Sequence, residues 1–295
     1  MPCARRTVAY RYRSLCLTHL SHTTLITGVR PRLHGVVGNR VTVRRTGERL
    51  LFTNLTRRES VKAATIFDVV KASGRRTAAF FRPETRSDAA IDDNVAEVFR
   101  VEGGPDPREV TPGLPDELRS ADVPIDAYYA FYDNPYAQGA GDLALTQAAA
   151  HVFERRKPAF TAIHLLVTDK AQHEFGPSHY LSWGALTADI ETHLTLDPKN
   201  SSTARRLMDE PYHGHGFLPD YPEMYPVLVL SGSGIARGAR LGHVRNIDEP
   251  PTIAALLGLE MRGVEGLVLR EAIRQRAFSA APPRRSAHRG CGRCV

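Results

Sequence analysis

Apolar positions along the chain fall into short runs and helical stripes that alternate with each other. Ser21 to Gly28 has the pattern of a short helix closed by glycine. From Ser60 to Gly74 a serine cap precedes Val61, Ala64, Phe67 and Val70, spaced for one helix face, and Gly74 ends the run. Arg76 to Arg82 reads as a strand centred on Thr-Ala-Ala-Phe-Phe, whereas Pro105 to Gln138, rich in Pro, Asp and Tyr, is expected to be an irregular insertion. Asp142 to Arg156 is an amphipathic helix stopped before Pro158, and it feeds a strand over Ala159 to Val167. Val227 to Ser231 is another buried strand, and Asp248 to Gly258 a helix with prolines in its first turn and glycine at its end. Strand–helix alternation with short joins predicts an α/β fold, a mostly parallel sheet covered on both faces.

Length and charge narrow this picture. With 295 residues and 42% hydrophobic content the chain can bury a full core, as one large domain or two small ones. The longest apolar runs are strand-sized, too short for a membrane span. The formal charge of +7 is concentrated at the ends: residues 1–15 carry four Arg and no acid, and residues 270–295 carry seven Arg against one Glu. The body between them stands at −3. That distribution argues against a nucleic-acid partner. Residues 1–15 and 276–295 are expected to be disordered or non-native tails flanking a domain at 16–275. Met1 to Ser14 has no apolar h-region and so does not read as a secretory signal, which implies a cytoplasmic protein if Met1 is the true start. Cys291-Gly-Arg-Cys294 is a lone CxxC in a terminal tail and reads as incidental; Cys3 and Cys16 suggest no disulfide pattern.

Candidate chemistry gathers in three places. The Ala159–Val167 strand runs on to Asp169, with His173 four residues later. A loop further on carries His213-Gly-His215-Gly-Phe217. Asp plus two His suits zinc or a similar ion, and strand ends are where α/β sheets place ligand sites. The third place is Leu17-Thr18-His19-Leu20-Ser21-His22-Thr-Thr-Leu-Ile-Thr-Gly28, followed by Pro31, His34-Gly35 and Asn39. A hydroxyl at a helix start sits among unpaired N–H groups, a setting that favours phosphate. Thr18 or Ser21 could equally be the helix cap. His22 reads as structural, His164 as a satisfied core histidine, and His179 has no distinguishing context.

The ordered set Thr18…His22-Thr-Thr-Leu-Ile-Thr-Gly28…His34-Gly35…Asn39, Asp169…His173…Gly176-Pro177, His213-Gly-His215-Gly-Phe217 and Pro251-Thr-Ile…Leu257-Gly258 resembles the type I phosphodiesterase/nucleotide pyrophosphatase family of the alkaline-phosphatase superfamily, over residues 16–260. The resemblance implies an alkaline-phosphatase-like α/β sandwich with a two-zinc site at the carboxyl ends of the sheet, acting on a small phosphate ester or nucleotide. It implies that Thr18 is a nucleophile that meets the metals and forms a phospho-threonine intermediate, and that Asn39 helps hold a phosphate oxygen. Asp169, His173 and His215 would be the three ligands of one zinc.

Two segments of the family pattern are missing. No strand ending in Asp-Gly precedes Thr18, and no Asp-His pair occurs anywhere in the chain. Asp189 and Asp197 are poor substitutes, since neither ends an apolar strand. Zinc ligands are thus complete for one ion of two, the sheet is expected to lack elements of the family, and turnover is expected to be impaired or absent. An N-terminally truncated or frameshifted product, a degenerate paralogue and a one-metal variant would each explain the gap; the arginine-rich, acid-poor ends favour the first. Alternatives in function are a phosphonate or phosphomonoester hydrolase of the same superfamily, or a non-catalytic metal- or phosphate-binding remnant.

Overall fold

The structure, a computed structural model, describes residues 7–9, 17–97, 109–129, 138–167, 169, 172–173, 194–195, 206–207 and 226–274. In chain order its elements are β1 (Thr7–Ala9), α1 (Thr18–Thr27), α2 (Pro31–His34), β2 (Arg40–Thr42), β3 (Arg49–Leu51), α3 (Arg57–Ser60), α4 (Ile66–Ala72), β4 (Thr77–Arg82), β5 (Asp93–Ala96), α5 (Leu114–Ser120), α6 (Asp126–Tyr129), α7 (Gln138–Arg156), β6 (Phe160–Ile163), β7 (Leu194–Thr195), β8 (Arg206–Leu207), β9 (Val227–Val229) and α8 (Glu249–Leu256).

A three-stranded parallel sheet in the order β5-β4-β6 forms the centre. All six residues of β4 are buried, as a central parallel strand covered on both faces requires. Ala78 and Phe80 face a cluster built with Leu114, Leu118, Tyr128, Leu145 and Val152 of α5, α6 and α7. Ala79 faces the other way, onto Ile26 of α1, Ile66, Phe67 and Val70 of α4, and Ala254 of α8. The alternation breaks at Phe81. The pairing with β5 shifts between Phe80 and Arg82, and Phe81 has φ 55. This bulge keeps Phe81 on the Phe80 side, edge-on to Tyr128 with ring centroids 5.0 Å apart, and turns Arg82 toward α1.

Helix α1 runs longer than its sequence pattern suggests, starting at Thr18, and Gly28 closes it in the left-handed region at φ 68. The carbonyl of Gly28 accepts the N–H groups of Glu265 and Gly266. Gly266 in turn lies so close to the Ile247 carbonyl that no side chain would fit there. His34, fully buried, docks α2 on α1. Val36 N–H donates to its Nδ1 at 3.2 Å, so Nε2 carries the hydrogen and faces Thr24 Oγ1 at 3.0 Å.

Three expectations change. The helix expected from Ser60 is two pieces: α3 ends at Ser60, and α4 begins after Thr65, whose hydroxyl accepts from Asp68 N–H while Asp68 accepts from Thr65 N–H at 2.7 Å. Thr65 with Asp68 is the stronger signal, because it satisfies two helix-start donors reciprocally. The described part of the expected insertion is not irregular. It holds α5 and α6, whose Leu114, Leu118, Ile125 and Tyr128 are core residues. Within the expected N-terminal tail, Thr7–Ala9 pairs antiparallel with β9, Thr7 opposite Val229. The rest of that tail and the segment 276–295 lie outside the described residues.

Candidate active site at the start of helix α1

The carboxyl ends of β4, β5 and β6 converge beneath the first turn of α1. Leu17 occupies the cap position and has no side-chain acceptor, so neither Thr18 nor Ser21 is the cap; Thr18 is the first helical residue. Asn39 supplies what Leu17 lacks, its Oδ1 accepting the His19 N–H at 3.1 Å. That bond orients the amide and leaves Asn39 Nδ2 as a donor beside the helix start.

Below the turn lies a buried polar cluster. His19 Nδ1 meets Glu84 Oε1 at 2.7 Å, and its Nε2 faces Glu97 Oε2 at 3.7 Å. Burial disfavours a charged His19, but the Glu84 hydrogen bond and the charges of Glu97 and Glu84 outweigh it and raise the pKa. Burial pushes the Glu97 carboxyl up to about 7, opposed by His19 and reinforced by the negative charges of Glu84 and Asp169. His22 packs against His164 with the rings tilted by 53° and their centroids 4.2 Å apart. Burial, then the Arg82 charge, holds His164 down to about 3 and His22 well below its ordinary value. His164 Nδ1 lies 3.2 Å from the Phe81 carbonyl, a contact that needs the neutral ring's N–H there. Glu84 has φ 60, a conformation costly for a non-glycine residue and held here by its burial against His19.

The proposed ligands reach the same neighbourhood by another path. Asp142, in the second turn of α7, accepts the N–H groups of Leu166 at 2.9 Å and Val167 at 3.0 Å, fixing the chain as it leaves β6. Two residues later Asp169 is exposed, close enough for its charge to act on Glu97. His173 Nε2 lies 3.6 Å from Asp169 Oδ2, a spacing at which both could bind one ion. His215, His213 and His179, with Asp189 and Asp197, lie outside the described residues. Among the described residues no three His, Cys, Asp or Glu side chains gather as a metal site. The structure therefore brings Thr18 and Asn39 together, and pairs Asp169 with His173.

Sequence reasoning passed over His19, Arg82, Glu84 and Glu97. Glu97 carried a usable signal, an acid directly after the apolar end of β5, the same placement that marked Asp169. Arg82 closes an apolar strand in the same way. Nothing in the sequence around Glu84 marks it.

The family model for type I phosphodiesterase/nucleotide pyrophosphatase matches residues 16–192. Among curated proteins no relative matches. Among solved structures, a variant of the alkaline phosphatase PafA is 11% identical with a TM-score of 0.63, over 91% of this chain and 92% of that one. Murine ectonucleotide pyrophosphatase/phosphodiesterase 5 is 13% identical with a TM-score of 0.51, over 88% and 89%. An inactive threonine-to-alanine variant of the murine protein, in complex with AMP, matches equally. These likenesses show an alkaline-phosphatase-like fold.

Proposed function

We propose that this chain, which belongs to the type I phosphodiesterase/nucleotide pyrophosphatase family, hydrolyses phosphate esters through Thr18. Family and fold support phosphoester hydrolysis within the alkaline-phosphatase superfamily. The observation that carries the finer reading is the first turn of α1. Thr18 opens the helix, the cap position offers no acceptor, and Asn39 stands alongside with its Nδ2 to give. Helix-start N–H groups and an amide donor suit a phosphoryl group. Thr18 Oγ attacks phosphorus as its proton passes to the departing ester oxygen, which leaves with the P–O electron pair; water then cleaves the phospho-threonine, its hydroxyl leaving on the released phosphate and its proton restoring the threonine hydroxyl. The inactive threonine variant of the murine protein, which holds AMP, supports a threonine in this role and a nucleotide as substrate.

Asp169 and His173 fit two ligand positions of one zinc ion, and His215 is the third residue assigned to it. A bound ion there would supply positive charge for phosphoryl oxygens and an activated water. The family segments that would hold a second ion have no match in this sequence. A non-catalytic remnant is the second reading, favoured by the missing Asp-His pair of the family pattern.

A zinc-supplemented assay with a chromogenic phosphodiester, run on wild type and Thr18→Ala, separates the two. The enzyme reading expects bound zinc and at least a ~1,000-fold loss of turnover in the variant, the scale of removing a reacting group. No turnover in wild type, or equal turnover in both, sinks it.

A further inference from the structure

The hairpin that follows Asn39 presents a face on which cationic and apolar side chains mix. β2 and β3 pair antiparallel, with Arg40 opposite Leu51, Val41 opposite Leu50 and Thr42 opposite Arg49. Val41 packs on the small cluster of Val36, Phe52 and Val61. The period of two then puts Arg40, Thr42, Arg49 and Leu51 on the opposite face, and all four are exposed. The connecting turn adds exposed Arg44 and Arg45, and Val37 is exposed just before the hairpin. None of these four arginines makes an ion pair with a described residue, and the hairpin's one acid is Glu48. Nearby arginines behave differently: Arg32 pairs with Glu265, and Arg57 with Asp68 at 2.9 Å.

Two features of this face select its partner. Like charges side by side on a sheet repel, so the arginines weaken the hairpin until an anionic surface neutralises them. Exposed Leu51, across the ladder from Arg40, adds nothing to the binding of a soluble polyanion, and residues 40–51 hold no aromatic ring on which a base could stack. An anionic bilayer suits both kinds of side chain. Its headgroups take the guanidinium charges, and its interface takes the leucine while the arginine stems lie along it. The face is also firmly rooted. Phe52 N–H donates to the Asn39 carbonyl at 3.1 Å, closing the hairpin at its base, and Asn39 Oδ1 accepts the His19 N–H. Docking through this face brings the start of α1 to the bilayer.

We propose that the exposed face of the hairpin at residues 40–51 is a docking surface for a membrane leaflet rich in anionic phospholipid. The headgroups are held there and not cut, so the proposal stands apart from the hydrolase reading. No helix among the described residues is long and apolar enough to cross a membrane, and surface docking needs none. Each basic residue held against an anionic leaflet strengthens binding about fivefold, so four together favour it over neutral lipid by a factor on the order of several hundred.

The test is flotation of the full chain with vesicles of phosphatidylcholine alone and of phosphatidylcholine mixed with phosphatidylserine. Wild type should float with the mixed vesicles and stay behind with the neutral ones. Arg40→Glu/Arg49→Glu should bind the mixed vesicles at least about twentyfold more weakly, with a thermal midpoint near wild type because both side chains are exposed. Arg155→Glu/Lys157→Glu makes the same charge change on exposed residues outside the hairpin and should bind as wild type does. Leu51→Ser should lose at least about threefold on the vesicles, part of what burying a leucine is worth, and keep its retention on heparin. A wild type that ignores the mixed vesicles, a hairpin variant that still binds them, or equal losses in the two double variants overturns the docking surface. Loss in the arginine variant with Leu51→Ser unchanged makes the face a general polyanion site and overturns the bilayer as its partner.

Discussion

His34 is held in one protonation state by what surrounds it. Its Nδ1 accepts from Val36 N–H, so a second proton on the ring would break that bond as well as bury a charge. Burial holds its pKa down to about 4. The sign is that of a depressed histidine: its stabilising contribution is complete above the unfolded value near 6.5 and is lost as pH falls from there toward 4. Between pH 7 and pH 5 the wild type should lose about 1–2 kcal/mol that His34→Gln does not lose, measured from urea midpoints at each pH. Parallel losses in both proteins would show that the ring can be protonated in place. At this scale the sequence was half legible. Thr18, Asn39, Asp169 and His173 stood out through motif order, whereas the His19–Glu84 contact joins residues 65 positions apart and no spacing rule reaches that far.

Helix α4 begins where its two-way cap sits. Thr65 and Asp68 satisfy each other's backbone N–H groups, and Arg57 adds an ion pair to Asp68 at 2.9 Å. Thr65→Ala should cost about 1 kcal/mol in chemical unfolding, the usual worth of a lost cap; Ser60→Ala, removing the hydroxyl of the sequence-based cap, should not weaken that cap. A reversed order would return the helix start to Ser60. Helices α5 and α6 escaped sequence reading because Pro, Asp and Tyr dominate their composition, and turn formers outvote short stripes such as Leu114–Leu118. Tyr128, which made the segment look irregular, is a core ring whose hydroxyl donates to the Ala96 carbonyl at 2.6 Å. Tyr128→Phe should lose about 1 kcal/mol, the net worth of one buried hydrogen bond, read from the same unfolding curves. By contrast the strands around Thr77–Arg82 and Phe160–Ile163, and the long α7, were plain from periodicity, since each is long or apolar enough to outweigh local composition.

For the molecule as a whole, the two helical layers are joined to the sheet by polar as well as apolar contacts. On the amino-terminal side of the strands, fully buried Asp93 of β5 binds Arg76 at 3.0 Å and Arg156 at the end of α7; Arg156 also reaches Glu117 of α5. Both arginines are partly exposed, so solvent screens the pair. Asp93→Asn should therefore cost about 1–3 kcal/mol in a single unfolding transition, and a loss below ~0.5 kcal/mol would show the network to be screened out. The alternating α/β plan that makes these layers was legible from the sequence, because a parallel sheet must be covered on both faces. The bulge in β4 was not, since Phe80 and Phe81 are equally at home on either face. Counted in codons, that bulge is a single insertion. Removing the Phe81 triplet would restore a strict two-residue alternation with Arg82 still opposite Ala96 and still on the α1 side, and would cost only the ring that meets Tyr128 edge-on. Every motif by which the family is recognised would remain intact, so a lineage could gain or lose a ring in this layer while its signature and the charge beneath Thr18 stayed the same.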